Sequence, residues 1–377
     1  MRQASADAFV FNPLADDLDH VLDYTRDLWT EMRNQRVFIT GASGFIGTWL
    51  LESFLWANDR LRLNASTTIL VRDPEGVQGK LPHLAGSPAV GLHRGDLQTF
   101  KPPREEYRYV IHAAASGSSS DNTDAEEVFR SNVLGTKRIL DATTGWQTSK
   151  MLFTSSGAVY GPQPPELRRI PESFAEQFSA PALTSPYAKS KSAGEALCMS
   201  RVVGTACQIK IARCFTFVGA YLPLNGRFAV GNFISDQLAG RQIEVHGDGT
   251  DLRSYLYAAD LMIWLWTILF IGADRDPYNV GSDIEVSIAE VAGIVRSAGG
   301  DTSAIRVSDL SSHPNTGKRY IPDTRKACGE LGLQQYIDLP TAVRRTLAWH
   351  GPRISQTAPK RKSRANVIPS YHRSESQ

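Results

Sequence analysis

The sequence predicts an α/β protein, a doubly wound parallel sheet followed by a smaller mixed α/β part. Three observations carry this. Residues 36–51, RVFITGASGFIGTWLL, set a short apolar strand before a glycine-rich turn and the start of an apolar helix. Strand-length apolar runs then alternate with helical patterns as far as residue 212, as in a sheet with helices on its faces. After Arg213 the character changes, and loops with glycine and proline separate shorter elements.

The glycine turn sets the first functional expectation. Gly41, Gly44 and Gly47 are three apart between the strand Val37-Phe38-Ile39 and a helix opening at Phe45-Ile46. The first glycine permits the tight turn, the second lets the backbone approach a pyrophosphate, and the third lets helix pack on strand. The helix N-terminus adds free N–H groups and a positive dipole end. Dinucleotide binding is therefore expected here, with Phe45 and Ile46 in the cradle.

The composition is that of an ordinary globular chain. Of 377 residues, 42% are hydrophobic and 21% charged, with a formal net charge of +2. That balance argues against a general nucleic-acid or membrane role. Cys198, Cys207, Cys214 and Cys328 have no CxxC spacing, so neither a disulfide framework nor a zinc site is expected, and free thiols fit a reducing, cytoplasmic setting. The first twenty residues lack a basic segment followed by an apolar core, hence no secretory signal is expected. The most apolar run, 261–271, is short for a bilayer and bracketed by Asp260 and Asp274; it reads as a buried helix. No histidine cluster suggests a metal.

In chain order, residues 1–35 form a helical extension, with Leu14, Leu18, Val21, Leu22, Leu28 and Met32 at helical spacing and Asp16 or Asp17 as its cap. The second strand covers 67–71 and ends at Arg72-Asp73. An acid there accepts from the ribose hydroxyls of NAD, whereas an arginine suits the 2′-phosphate of NADP. Arg72 comes first, so the reading leans to NADP(H); Asp73, one position later, keeps NAD open. A third strand over 92–97 brings Asp96, which can accept from an adenine amino group, and Leu97. The fourth, 109–115, runs into Ala113, Ala114 and Ala115, small residues that let a cofactor lie close. His112 within it reads as structural. The polar stretch SGSSSDNTDA reads as a loop over the site. A helix over 125–142 carries Asn132, a fifth strand over 150–155 ends at Ser155-Ser156, and 162–186 is loop. The helix from Pro186 carries Tyr187 and Lys191, four apart and so on one face. A sixth strand covers 207–212 and a last one 276–281; Ser287 and Glu290 cap the helix that follows. The segment 306–323 is loop and edge. From Gly351 the chain is polar and basic, a disordered tail with Lys360-Arg361-Lys362 solvated.

TGASGFIG, GDL, IHAAA, NVLGT, TSSGAVYG and YAKSK occur together in this order. From about Arg36 to about Trp349 the chain resembles the extended short-chain dehydrogenase/reductases, in particular the nucleotide-sugar epimerases and dehydratases. The resemblance implies a Rossmann cofactor domain (36–212) and a sugar-nucleotide part (213–350) interwoven with it. It implies Tyr187 as catalytic base, Lys191 as the cation that acidifies it and bonds the nicotinamide ribose, and Ser156 as the hydroxyl on the reacting oxygen, with Ser155 the nearby contender. Asn132 would belong to the cofactor site. RCFTFVG, with Thr216 where asparagine is usual, GNFI with Asn232, and GDGTDLRSYLYAADL with Arg253 resemble the family's nucleotide-sugar contacts; Arg253 would hold the diphosphate as a charged fork. A homodimer through the helices carrying Asn132 and Tyr187 is implied too.

Two departures narrow the reaction. Relatives that dehydrate sugars carry an Asp-Glu pair directly after the catalytic Ser/Thr, and decarboxylases keep the glutamate; here the residues are Gly157 and Ala158. The expectation is C4 epimerisation through a keto intermediate, or NADPH-dependent reduction of a 4-keto-sugar, ahead of dehydration, decarboxylation or non-catalytic dinucleotide sensing.

Overall fold

A computed structural model describes residues 12–116, 124–177, 185–201, 206–224, 226, 228–301, 303–308 and 317–357. Its centre is a seven-stranded sheet, parallel throughout. In chain order the strands are β1 (Arg36–Thr40), β2 (Ser66–Val71), β3 (Val90–Arg94), β4 (Tyr109–His112), β5 (Lys150–Ser156), β6 (Gln208–Cys214) and β7 (Pro277–Val280). Across the sheet they run β7-β6-β5-β4-β1-β2-β3. The order reverses between β1 and β4, so the crevice beyond their carboxyl ends is the switch point where ligands bind in such sheets. The alternation read in the sequence thus builds a Rossmann-like sheet. β3 starts earlier than expected and stops at Arg94, and β4 stops at His112, which puts Asp96 and Ala113–Ala115 in the loops at the carboxyl edge.

Helices cover both faces. The Ala125–Gly145 and Pro186–Ser200 helices lie against each other on one side. The Ala15–Thr25, Phe45–Arg60 and Ala258–Ile271 helices pack together on the other. The last of these is buried on every side except at Ile271, which explains its apolar sequence. Its final carbonyls, which have no intrahelical partner, are met by lysines from the sheet: Lys150 Nζ donates to Phe270 O at 2.7 Å and Lys210 Nζ to Gly272 O at 2.6 Å. Asp260, at its start, accepts the backbone N–H groups of Tyr336 and Ile337, both at 2.9 Å.

The N-terminal segment packs as its apolar spacing indicates, with Leu14, Leu18, Val21, Leu22, Trp29 and Met32 buried. The capping expectation needs correction. Leu14 is the N-cap, with no side-chain cap hydrogen bond, and Asp16 and Asp17 stand in the first turn. Asp17 is buried instead, accepting from the Tyr257 hydroxyl at 2.6 Å and pairing with Arg345. The C-terminal boundary also moves: the last helix runs Leu339–Thr357, past Gly351 and Pro352. Lys360-Arg361-Lys362 and residues 117–123 of the expected polar loop lie outside the described residues.

Beyond β6 the chain forms short ribbons. Leu252–Arg253 pairs antiparallel with Val286–Ser287 and parallel with Arg319–Tyr320, in a register that sets Arg253 beside Tyr320. The Ile288–Ala298 helix carries the expected capping box between Ser287 and Glu290. Among the described residues no helix is long and apolar enough to cross a membrane.

Candidate active site

The cradle forms as the glycine spacing requires. Gly41 takes φ +75°, where a side chain is strained, and a methyl there would lie 2.6 Å from the Ala114 nitrogen. A methyl on Gly47 would lie 2.0 Å from the Gly41 carbonyl oxygen. Gly44 is the helix N-cap, and a methyl on it would meet only that oxygen, at 3.4 Å. The first and third glycines are thus demanded by the fold and the second leaves an open approach. The leading N–H groups of the helix, at Phe45 and Ile46, have no intrahelical acceptor. Thr40 fixes the facing loop: its carbonyl accepts from Ala113 N and its hydroxyl from Ala114 N, each at 3.2 Å. Ala115 is exposed beside them. This cradle fits a pyrophosphate between the turn and the helix start.

At the end of β2, Arg72 is exposed. Asp73 accepts the Gly76 N–H at 3.1 Å and caps the helix that starts at Pro74. Its carboxylate is engaged in the fold, while Arg72 has no partner among the described residues. Asp96 lies just beyond β3, its Oδ1 accepting from Gln98 N at 2.9 Å, and Leu97 packs where a methyl on Gly135 would sit.

Two residues expected to contact cofactor or substrate brace the fold. Asn132 is buried: its Oδ1 accepts from Ser116 N at 2.7 Å, and its Nδ2 donates to Ser116 O at 3.1 Å and Ser190 Oγ at 2.9 Å. It ties the loop after β4 to the helix carrying Tyr187. Ser155, offered as a substrate contact, points its hydroxyl at Glu195, which is buried and holds Arg213 through Oε2 at 2.8 Å. Arg213 also donates to Tyr160 Oη at 2.9 Å. Sequence reasoning missed this network, although Glu195 follows Lys191 by one helical turn. His112 is structural as expected: its ring lies between Thr40 and Thr136, and burial pushes its pKa down to about 3, keeping it neutral.

The three expected catalytic side chains do come together. Ser156 Oγ accepts from Ala158 N at 3.2 Å, and its hydroxyl faces the Tyr187 phenol closely enough to favour the ionised form. Lys191 Nζ donates to Thr154 O at 2.7 Å and stands 5.8 Å from the centre of the Tyr187 ring. The electrostatics differ from the expectation that Lys191 acidifies the phenol. Burial dominates both groups: it pushes Tyr187 up to about 12, only partly offset by Ser156, and Lys191 down to about 8. Each charged form is disfavoured by desolvation.

Thr216, Asn232 and Arg253 line one cleft of about 730 Å³, together with Arg241, His246, Tyr255 and Tyr320. Arg253 is held by Asp251, at 3.1 Å, and by the Lys318 carbonyl, at 2.9 Å. Tyr320 joins the two halves of the site. It lines the cleft, its hydroxyl lies over Gly157, and its ring packs tilted against Phe215 with ring centres 4.7 Å apart. No spacing or motif marked it in the sequence. Among the described residues no group of three or more His, Cys, Asp and Glu could hold a metal ion.

A model of the NAD dependent epimerase/dehydratase family matches residues 37–281. A dTDP-glucose 4,6-dehydratase of an Actinoplanes species is 27% identical over 328 residues, covering 84% of this chain and 97% of that protein. UDP-glucuronic acid decarboxylase 5 of Arabidopsis thaliana is 27% identical over 309 residues, covering 81% and 86%. Among solved structures, a UDP-N-acetylglucosamine 4-epimerase from Methanobrevibacter ruminantium superposes with a TM-score of 0.72 at 22% identity, covering 86% of this chain and 100% of that one; the likeness concerns the fold.

Proposed function

The chain belongs to the NAD dependent epimerase/dehydratase family, and from that premise we propose that it modifies a nucleotide-diphosphate sugar by Tyr187-mediated proton and hydride transfer, as a C4 epimerase. The observation that carries the choice is at residue 157. A side chain there would meet the Tyr320 hydroxyl at 2.6 Å and the Phe215 ring at 2.7 Å. The position at which the resemblance leads one to expect a dehydratase's aspartate is closed by aromatic groups, and Ala158 supplies no acid. Relatives named as dehydratases and decarboxylases match along most of the chain, but Gly157 and Ala158 supply no acid for elimination.

The residues divide the work. Gly41, Gly44 and the helix start at Phe45 and Ile46 hold the cofactor's pyrophosphate, and Ala113–Ala115 and Lys191 flank the rest. The nicotinamide supplies the acceptor and donor of hydride. Tyr187 removes the proton from the sugar's C4 hydroxyl and later returns it, with Ser156 bonded to the reacting oxygen. Lys191, cationic below about pH 8 and 5.8 Å from the Tyr187 ring centre, would bond the nicotinamide ribose. Arg253 holds the diphosphate as a fork, with Thr216 and Asn232 along the cleft.

A second reading, an NADPH-dependent 4-keto-sugar reductase using the same residues, is favoured by one observation: among the described residues Arg72 has no partner and is exposed for a 2′-phosphate, while Asp73 caps a helix through Oδ1. Purified protein separates the two. Tightly carried NAD and a product of unchanged mass support the epimerase, whereas stoichiometric NADPH consumption supports the reductase. The helices carrying Asn132 and Tyr187 expose Phe129, Leu134 and Met199, which supports a homodimer formed through them.

A further inference from the structure

The helix that carries Tyr187 grips β5 at consecutive residues. Lys191 Nζ donates to Thr154 O at 2.7 Å, and one turn later Glu195 accepts from the Ser155 hydroxyl. Among the described residues these, with the bonds from Arg213 to the same carboxylate, are the side-chain hydrogen bonds between this helix and the sheet. The rest of the contact is apolar. A methyl on Gly194 would lie 2.7 Å from the Phe153 ring, and Cys198 is buried. Apolar contact is non-directional and sets no register of its own. Tyr187, Lys191 and Glu195 are four apart and form one stripe along the helix. Ser156 is the next residue of β5 and Tyr187 is one turn before Lys191, so both lie immediately beyond the grip.

Glu195 is buried, and its partner is fixed. Arg213 on β6 donates through Nε to Oε1 at 3.0 Å and through Nη2 to Oε2 at 2.8 Å. Its Nη1 donates to Tyr160 Oη and to the Glu172 carbonyl, each at 2.9 Å. Tyr160 donates in turn to Asn279 Oδ1 on β7 at 2.7 Å. The guanidinium is thus anchored outside the helix, and the carboxylate is held against a stationary cation. A buried ion pair is weak evidence for stability, since apolar residues of similar volume often serve as well. What charge-assisted, forked hydrogen bonds add is geometry. We propose that Glu195 is a positioning residue: with Ser155 and Arg213 it fixes the register of the helix on β5, and so the place of Tyr187 relative to Ser156. Its oxygens are taken up by Ser155 and Arg213, and no bond is made or broken at it.

The inference rests on Tyr187 as the proton carrier, and its test includes a readout that needs no sugar. Glu195→Gln keeps an acceptor but loses the charge that holds Arg213. Ser155→Ala removes only the link to β5 and leaves the Glu195–Arg213 pair intact, so it serves if Glu195→Gln does not fold. Both are made in the full-length, NAD-loaded protein. A fluorinated tyrosine at position 187 is read by fluorine NMR, with a second at Tyr257, which packs against Trp49, as the control. Each variant is expected to shift or split the signal from 187 and to leave that from 257 in place. On a nucleotide sugar that the chain turns over, kcat is expected to fall about 10–100-fold, the scale of an ångström's misplacement, with KM and NAD affinity held within about twofold. A purely structural role would lower the melting temperature and leave the folded fraction with an unmoved 187 signal and full kcat. An unmoved signal, or an undiminished kcat, overturns the proposal. A chain that turns over no nucleotide sugar yet shows the moved signal contradicts the functional reading alone; an active enzyme with an unmoved signal contradicts the positioning role alone.

Discussion

The carbonyl oxygen of Gly41 closes the space over Gly47, where a methyl group would lie 2.0 Å from it. The Phe45–Arg60 helix can start this close to β1 only with glycine at 47. Gly47→Ala is expected to cost about 1–3 kcal/mol, as overpacking of a fixed backbone does, and to lower both the melting temperature and NAD affinity. Gly44→Ala is the contrast. Its methyl has room, so melting is expected to hold while NAD binding weakens. Thermal melts with and without NAD distinguish the two.

Arg72 and Asp73 divide their tasks at the end of β2, one free and exposed, the other capping a helix. Arg72→Ser is expected to weaken NADP binding about tenfold, the scale of one charge-assisted hydrogen bond, and to leave NAD nearly unchanged. Dissociation constants for both dinucleotides, measured at one ionic strength, check this.

Lys191 gives a pH signature. Its pKa in the folded chain is about 8, below the ordinary value of 10.5, because burial penalises the ammonium. Below pH 8 it is protonated in both states, and folding bears the whole cost of burying the charge. Between about 8 and 10.5 the unfolded chain binds more protons than the folded one, so this site's contribution to stability rises with pH. Tyr187, raised to about 12 from 10, acts oppositely but only above pH 10. Lys191→Met is therefore expected to stabilise the cofactor-free protein at pH 7, with an advantage that shrinks by about 1–3 kcal/mol by pH 10. Urea unfolding at the two pH values measures it.

The sheet was legible because its signals are local. Apolar runs of strand length, a glycine triplet and a Tyr-x-x-x-Lys spacing each imply their geometry within a few residues. β7 belongs to the same sheet although it follows the ribbons after β6, and DPYNVG at 276–281 suggested it as a last strand. What could not be read depends on contacts across the chain. Asp17 looked like a cap because acids favour helix starts, but Tyr257 and Arg345, more than 200 residues away in sequence, draw it into the interior. Ser155 and Ser156 are adjacent in sequence, yet strand alternation sends one hydroxyl to Glu195 and the other to the site. Tyr320 lay in a segment read as loop and edge, and its pairing with Arg253 is what brings its hydroxyl over Gly157.

The central claim, a proton-and-hydride mechanism without elimination, is tested most directly by the products formed from a panel of nucleotide sugars, resolved by NMR and mass spectrometry. The account predicts a C4 epimer of unchanged mass, and none from Tyr187→Phe that still binds NAD. A product that has lost water or carbon dioxide, or undiminished turnover by Tyr187→Phe, contradicts it.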